Sequence, residues 1–185
     1  MDSEKPQRLL REPLLQPEVD LEDLQVVGSS SGPVPDFDLM LADGEVFRSA
    51  EWVGKRPFVI VFFATWCQVC EVKLPLVRAA LESEREVTLL LVSVDEPDTW
   101  RHVPGFLREQ RLGEALLASG LENPRFTLGY DPMGAVPVVA VIGRDGTLVD
   151  YQVGLSPADG GRLTSAVRRA AGHERSLVGG SLELP

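Results

Sequence analysis

Six consecutive apolar residues, Phe58-Val-Ile-Val-Phe-Phe63, run almost directly into Trp66-Cys67-Gln68-Val69-Cys70. A run this short, rich in β-branched and aromatic side chains, suits a strand covered on both faces. It is far too short to span a bilayer. Cys67 to Glu84 then predicts a helix, with Leu74, Val77 and Leu81 on its apolar face and Pro75 inside it as an expected kink. Val87 to Val94 reads as a second buried strand. Strand, helix and strand in this order imply a right-handed parallel crossover, and so an α/β sheet covered by helices.

The flanking segments fill out one domain. Phe37-Asp-Leu-Met-Leu41, the turn Asp43-Gly44, and Val46-Phe47 predict a hairpin. Asp98 to Gln110 is expected to be helical with Asp98 as cap, Leu112 to Ser119 a short helix ended by Gly120, and Phe126 to Tyr130 a short strand. Val138 to Ile142, the turn Arg144-Asp-Gly146, and Thr147 to Val153 predict an antiparallel hairpin. Ser156 is the expected cap of a last helix reaching Ala171. Residues 1–33, punctuated by Pro6, Pro13 and Pro17 and closed by Ser29-Ser-Ser-Gly-Pro33, read as a flexible acidic leader. Residues 172–185 read as a flexible tail, leaving a domain of residues 34–171.

Composition narrows the function. The 185 residues carry 28 acids and 18 bases, a net charge of −10. Nucleic acid and anionic membrane surfaces are poor partners for such a chain. No segment has the length and apolarity of a membrane span, and none resembles an export signal. As written, the chain therefore reads as cytoplasmic, or periplasmic if a leader has been replaced ahead of Met1. A monomer is expected.

Two cysteines exclude a disulfide-scaffold fold. Their position, between a buried strand and a helix start, has its own chemistry. The thiolate is the attacking species in disulfide exchange, and a helix N-terminus favours it through unpaired N–H groups and the positive end of its dipole. Cys67, in the first turn, is the expected nucleophile. Cys70 lies one turn on, on the same face, and can resolve a mixed disulfide. A purely structural disulfide here would close a very short loop and stabilise little. A zinc site needs further ligands, and His102 and His173 have no motif spacing, so no metal and no bound cofactor are expected.

Phe62-Phe-Ala-Thr-Trp-Cys-Gln-Val-Cys70 resembles the active-site segment of the thioredoxin superfamily. Pro35-Asp-Phe-Asp-Leu39, the Asp43-Gly44 turn, Gly54-Lys55 and Val136-Pro137-Val-Val-Ala-Val-Ile-Gly-Arg-Asp-Gly146 are similar to the TlpA/ResA-like thiol-disulfide oxidoreductases in particular. The resemblance covers about residues 34–171. It implies a thioredoxin fold, a central mixed β-sheet flanked by helices, with an added N-terminal β-hairpin. It implies exchange with protein thiols and disulfides, and an electron donor or acceptor. It also implies a cis Val136–Pro137 bond facing the cysteines, with Val136 and Trp66 contacting substrate.

Three departures stand out. Val61 replaces the buried acid that thioredoxins carry six positions before the first cysteine. Lys73 replaces the Glu that ResA-like proteins carry three positions after the second. Lys73 can tune the thiolate by proximity, although a solvated lysine with its stem on the helix surface is the simpler expectation. The stretch from Asp131 to Val136 leaves little room for the helical segment that relatives fit before the proline. Asp95 and Glu96 can transfer protons, but loop solvation is the simpler role. Trp52 and Trp100 read as structural, and nothing ties His102 to the cysteines. Alternatives are a redox-silent or redox-regulated interaction module, a thiol peroxidase and a metal chaperone. The peroxidase lacks support, because Ala64 and Ile60 occupy the Thr and Pro positions of the peroxiredoxin motif.

Overall fold

The apolar run becomes the middle of a five-stranded sheet. A computed structural model describes residues 33–131 and 134–173. The expected leader, apart from its last residue Pro33, and the tail beyond His173 lie outside the described residues. In chain order the elements are β1 (Asp38–Met40), β2 (Val46–Arg48), α1 (Ser49–Trp52), β3 (Phe58–Phe63), α2 (Gln68–Leu81), β4 (Thr88–Ser93), α3 (Val103–Glu109), β5 (Leu116–Ser119), α4 (Pro124–Tyr130), β6 (Val138–Ile142), β7 (Leu148–Val153) and α5 (Asp159–Ala171). β1 and β2 form the expected separate hairpin, and the main sheet runs β5-β4-β3-β6-β7. β3 and β4 pair in parallel, as the crossover requires, whereas β6 runs antiparallel to both β3 and β7.

Every residue of β3 is buried, and strand alternation sends its side chains to two separate cores. Val59, Val61 and Phe63 face α2, α3 and α5, together with both cysteines. Phe58, Ile60 and Phe62 face the hairpin and α4. Phe62 stacks on Phe126 at 5.7 Å between ring centroids, inside an aromatic cluster that includes Phe37 and Tyr130. Phe62→Ala is expected to cost roughly 3–5 kcal/mol through lost burial and an unfilled cavity. Urea denaturation of the two proteins measures this.

Two expected elements exchange type. Leu112 to Ser119 has helix-forming residues, but Leu116–Ser119 forms β5 instead. It pairs in parallel with β4, from Leu90↔Leu116 to Ser93↔Ser119. The open edge of β4 offers a full ladder of hydrogen bonds, and that context outweighs local propensity. Ala42 N–H donates to the Leu117 carbonyl at 2.7 Å, so the hairpin in turn covers part of the new edge. Conversely, Phe126 to Tyr130 lies in α4 rather than in a strand. Helical spacing brings Phe126 and Tyr130 onto one face, where both pack on Phe37 and Phe62. Pro124 at the first helical turn was the available signal. α4 is also the helical segment before the proline, and it fits because it ends before Asp131 instead of lying between Asp131 and Val136.

Helix starts differ as well. A 3-10 turn, Trp100–His102, precedes α3, and Thr99 rather than Asp98 flanks it. At α5 the N-cap is Ala158 rather than the expected Ser156, whose hydroxyl accepts from Ala158 N–H at 3.3 Å and whose own N–H donates to the Asp159 carboxylate at 2.8 Å. α2 runs unbroken through Pro75.

Candidate active site

β3 delivers the chain to the C-terminal edge of the sheet, and the four-residue turn from Ala64 to Cys67 carries it into α2. Asp95, just past the end of β4, fixes that turn. Its carboxylate accepts from Thr65 N–H at 2.9 Å, from the Thr65 hydroxyl at 2.5 Å and from the Ser93 hydroxyl at 2.7 Å. Asp95 is 1% exposed, so the solvated-loop expectation is wrong for it. Glu96 beside it is exposed. The position of Asp95 at the end of a strand adjacent to β3 was the signal for its role; its partners were not readable.

Cys67 is the N-cap of α2, and its Sγ accepts from Cys70 N–H at 3.1 Å. The two form a disulfide, with Cα atoms 5.3 Å apart. Cys67 is 7% exposed and Cys70 fully buried, so an incoming thiol meets Cys67 first. The α2 N-terminus directs N–H groups and a positive dipole end at the Cys67 sulfur, which favours its thiolate.

The Val136–Pro137 peptide bond is cis. The Val136 carbonyl oxygen lies 3.7 Å from Cys67 Sγ, which brings together residues 69 positions apart. Gly154 N–H donates to the Pro137 carbonyl at 2.8 Å and links this loop to the segment between β7 and α5. Trp66 is 62% exposed beside the disulfide, and Val69 and Val72 on α2, Val153 at the end of β7 and Leu155 just after it are exposed apolar residues.

Lys73 overturns the simpler expectation. It is fully buried, not spread on the helix surface. Its Nζ donates to Asp159 Oδ2 at 2.5 Å and to Gln152 Oε1 at 2.7 Å. Asp159 and Gln152 are themselves buried and lie 86 and 79 residues further on, so nothing in the sequence marked them. Burial pushes the Asp159 carboxyl up. The hydrogen bonds from Lys73 and Ser156 N–H and the charges of Lys73 and Arg162 outweigh this and hold it below the ordinary carboxylate range.

Val61 is fully buried and leaves the thioredoxin carboxylate position apolar. Trp52 stacks on Phe47 and Trp100 packs against the core, as expected of structural residues. His102 is exposed and accepts from Arg101 Nε at 3.3 Å. Among the described residues no group of three His, Cys, Asp or Glu side chains is arranged to hold a metal.

Asp131 closes the base of the cis-proline loop by accepting from Ala135 N–H at 2.8 Å, while its second oxygen is buried with no partner among the described residues. Burial raises its carboxyl above the usual range, against the lowering effect of the Ala135 and Gly134 N–H groups. A carboxyl raised in the folded state contributes stability below its unfolded pKa and loses that contribution as pH rises through the folded value. Asp131→Asn is expected to remove this loss and flatten the mildly acidic part of the stability curve. Urea midpoints measured from pH 3.5 to 7 test this, and an unchanged slope would contradict it.

The redoxin family matches residues 29–167. No curated protein sequence matches the chain at comparable significance. Solved structures match its fold. A thioredoxin-family thiol:disulfide interchange protein from Chlorobium tepidum TLS is 22% identical, with 77% of this chain and 98% of that one covered and a TM-score of 0.60. A secreted Mycobacterium tuberculosis disulfide oxidoreductase is 17% identical, covering 72% and 95%, with a TM-score of 0.56. StoA from Bacillus subtilis is 16% identical, covering 74% and 98%, with a TM-score of 0.55.

Proposed function

This chain belongs to the redoxin family, and we propose that it is a thiol-disulfide oxidoreductase acting on protein cysteines through Cys67 and Cys70. One observation carries the reading. A disulfide at the start of α2 has one reachable sulfur, Cys67, and that sulfur lies 3.7 Å from the carbonyl before a cis-proline.

In the reducing direction the Cys67 thiolate attacks a substrate disulfide, forms a mixed disulfide and expels one substrate thiolate. The Cys70 thiolate then attacks Cys67, re-forms the Cys67–Cys70 bond and expels the second. Two electrons pass from the cysteine pair to the substrate, and both released thiolates take protons from water. The oxidising direction is the same sequence reversed. Trp66 and Val136 flank the reacting sulfur and contact the substrate, whose backbone runs along the Val136–Pro137 loop. Lys73, one turn beyond Cys70 on α2, tunes the thiolate by its charge. Residues 34–171 form the working unit. The solved relative described as secreted supports action outside the cytoplasm, where protein disulfides persist.

The test is equilibration of the purified protein with dithiothreitol or glutathione, together with Cys70→Ser incubated with a disulfide-bonded protein. A reversible two-electron couple and a trapped Cys67 mixed disulfide are expected. A pair that no cellular thiol can reduce would overturn the reading and favour a redox-silent interaction module.

A further inference from the structure

A buried ion pair starts one helical turn beyond Cys70, and structural support alone does not explain it. Lys73 is fully buried, and lysine is among the residues least often found fully inside a protein. An apolar residue at this position would pack at no desolvation cost, and buried ion pairs are often no more stable than apolar replacements. The location of the pair is informative. Lys73 lies one turn beyond Cys70, and helical side chains lean toward the helix N-terminus, which here means toward the cysteines.

The partners of Lys73 lie on β7 and at the first residue of α5. Gln152 pairs with Val139 in the β6–β7 ladder, two residues after Pro137. Asp159 receives Ser156 N–H, just past Gly154, whose N–H holds the Pro137 carbonyl. The charged groups that face the pair are few. Gln152 Nε2 donates to Asp150 at 2.6 Å, and Arg162 donates to the same carboxylate at 2.6 Å. The buried Lys73–Asp159 ion pair, with Asp150 and Arg162 at its outer side, thus begins one helical turn from Cys70, part of a couple whose reduced form carries a thiolate.

We propose that Lys73 and Asp159 are opposed electrostatic levers on the Cys67–Cys70 couple, Lys73 favouring the dithiol and Asp159 favouring the disulfide. This rests on the oxidoreductase reading above and deepens it. Both are positioning and tuning residues; neither touches the substrate. The sign follows from the charge of the thiolate. A nearby cation stabilises the reduced form and makes the couple more oxidising, and a nearby anion does the reverse. Because the two charges nearly offset each other, the natural couple stands between two extremes, each reachable by one substitution.

The experiment measures the thiol-disulfide equilibrium and the Cys67 thiol pKa in Lys73→Met, Asp159→Asn and the double variant. Lys73→Met is expected to shift the equilibrium about tenfold toward the disulfide, or about 30 mV for this two-electron couple, and to raise the Cys67 pKa. Asp159→Asn is expected to shift both the opposite way by a similar factor. The double variant is expected to return within about threefold of the natural protein, since charge is removed in balance. A purely structural pair would move both single variants alike or move neither, and that result overturns the proposal. Each single variant has its own signed expectation, so one that folds suffices. Arg162→Gln, at an exposed guanidinium, is expected to fold in any case and to give a smaller shift in the Lys73→Met direction. No shift there, with neither single variant folded, also overturns the proposal. If the natural protein shows no reversible couple at all, it is the oxidoreductase reading that fails; a reversible couple with unmoved variants sinks only this inference.

Discussion

Cys67→Ser is expected to abolish insulin-disulfide reduction, leaving only the rate of the reductant itself. Cys70→Ser is expected to lose turnover yet accumulate mixed disulfides. The asymmetry follows from geometry. Cys67 is the reachable sulfur and caps α2, where Cys70 N–H donates to it and the helix dipole favours its thiolate. A serine hydroxyl there keeps the cap but stays protonated near neutral pH, so no attacking anion forms. Cys70 is fully buried and meets only the mixed disulfide already formed on Cys67. Its loss therefore stops the second step and spares the first. Mass spectrometry of the trapped species separates the two variants. Mixed disulfides on Cys70 in the Cys67→Ser protein would reverse the assigned roles.

Asp95→Ala is expected to destabilise the protein by about 3 kcal/mol and to slow turnover roughly tenfold. The buried carboxylate accepts from Thr65 N–H and the Thr65 hydroxyl, both half-buried, and from the buried Ser93 hydroxyl. Removing it leaves these donors unpaired, at about 1–3 kcal/mol for each group that finds no substitute. Thr65 precedes Trp66 and Cys67, so a loosened turn misplaces the nucleophile, and small misplacements are costly in rate. Asp95→Asn retains one acceptor oxygen and is expected to recover most of the activity. Denaturant titration and insulin reduction, run on both variants, check the two effects separately. Full activity in Asp95→Ala would remove Asp95 from the site's support.

The strongest sequence signals were those in which one short segment carried its whole meaning. Phe58 to Phe63 was legible as a doubly buried strand because every residue is apolar. The cysteine helix was legible because the pair begins directly after that strand. Short segments of mixed composition were less secure. Leu116–Ser119 and Pro124–Tyr130 exchanged strand and helix, since four to seven residues of Leu, Ala, Phe and Tyr fit either period until a neighbour supplies hydrogen bonds or a packing face. The site followed the same division. Trp66, Cys67 and Cys70 were readable as a local motif, and Val136 and Pro137 through family resemblance. Asp95 was visible but assigned to solvent.

Lys73 marks the boundary most clearly. Its spacing from Cys70 placed it one turn beyond the disulfide, and that much was determined by the sequence alone. Whether it faced water or the interior depended on an acceptor being present, and the acceptors are Gln152 and Asp159, on a strand and a helix about 80 residues away. A lone lysine is excluded from a protein interior by the loss of its hydration. The same lysine enters once the tertiary structure provides a carboxylate and an amide at hydrogen-bond distance. Local patterning along the chain was enough to specify an α/β domain with a dithiol at a helix start. That Lys73 would be buried in an ion pair with Asp159 was settled by folding, because local patterning settles which residues are neighbours along an element and packing alone settles which elements meet.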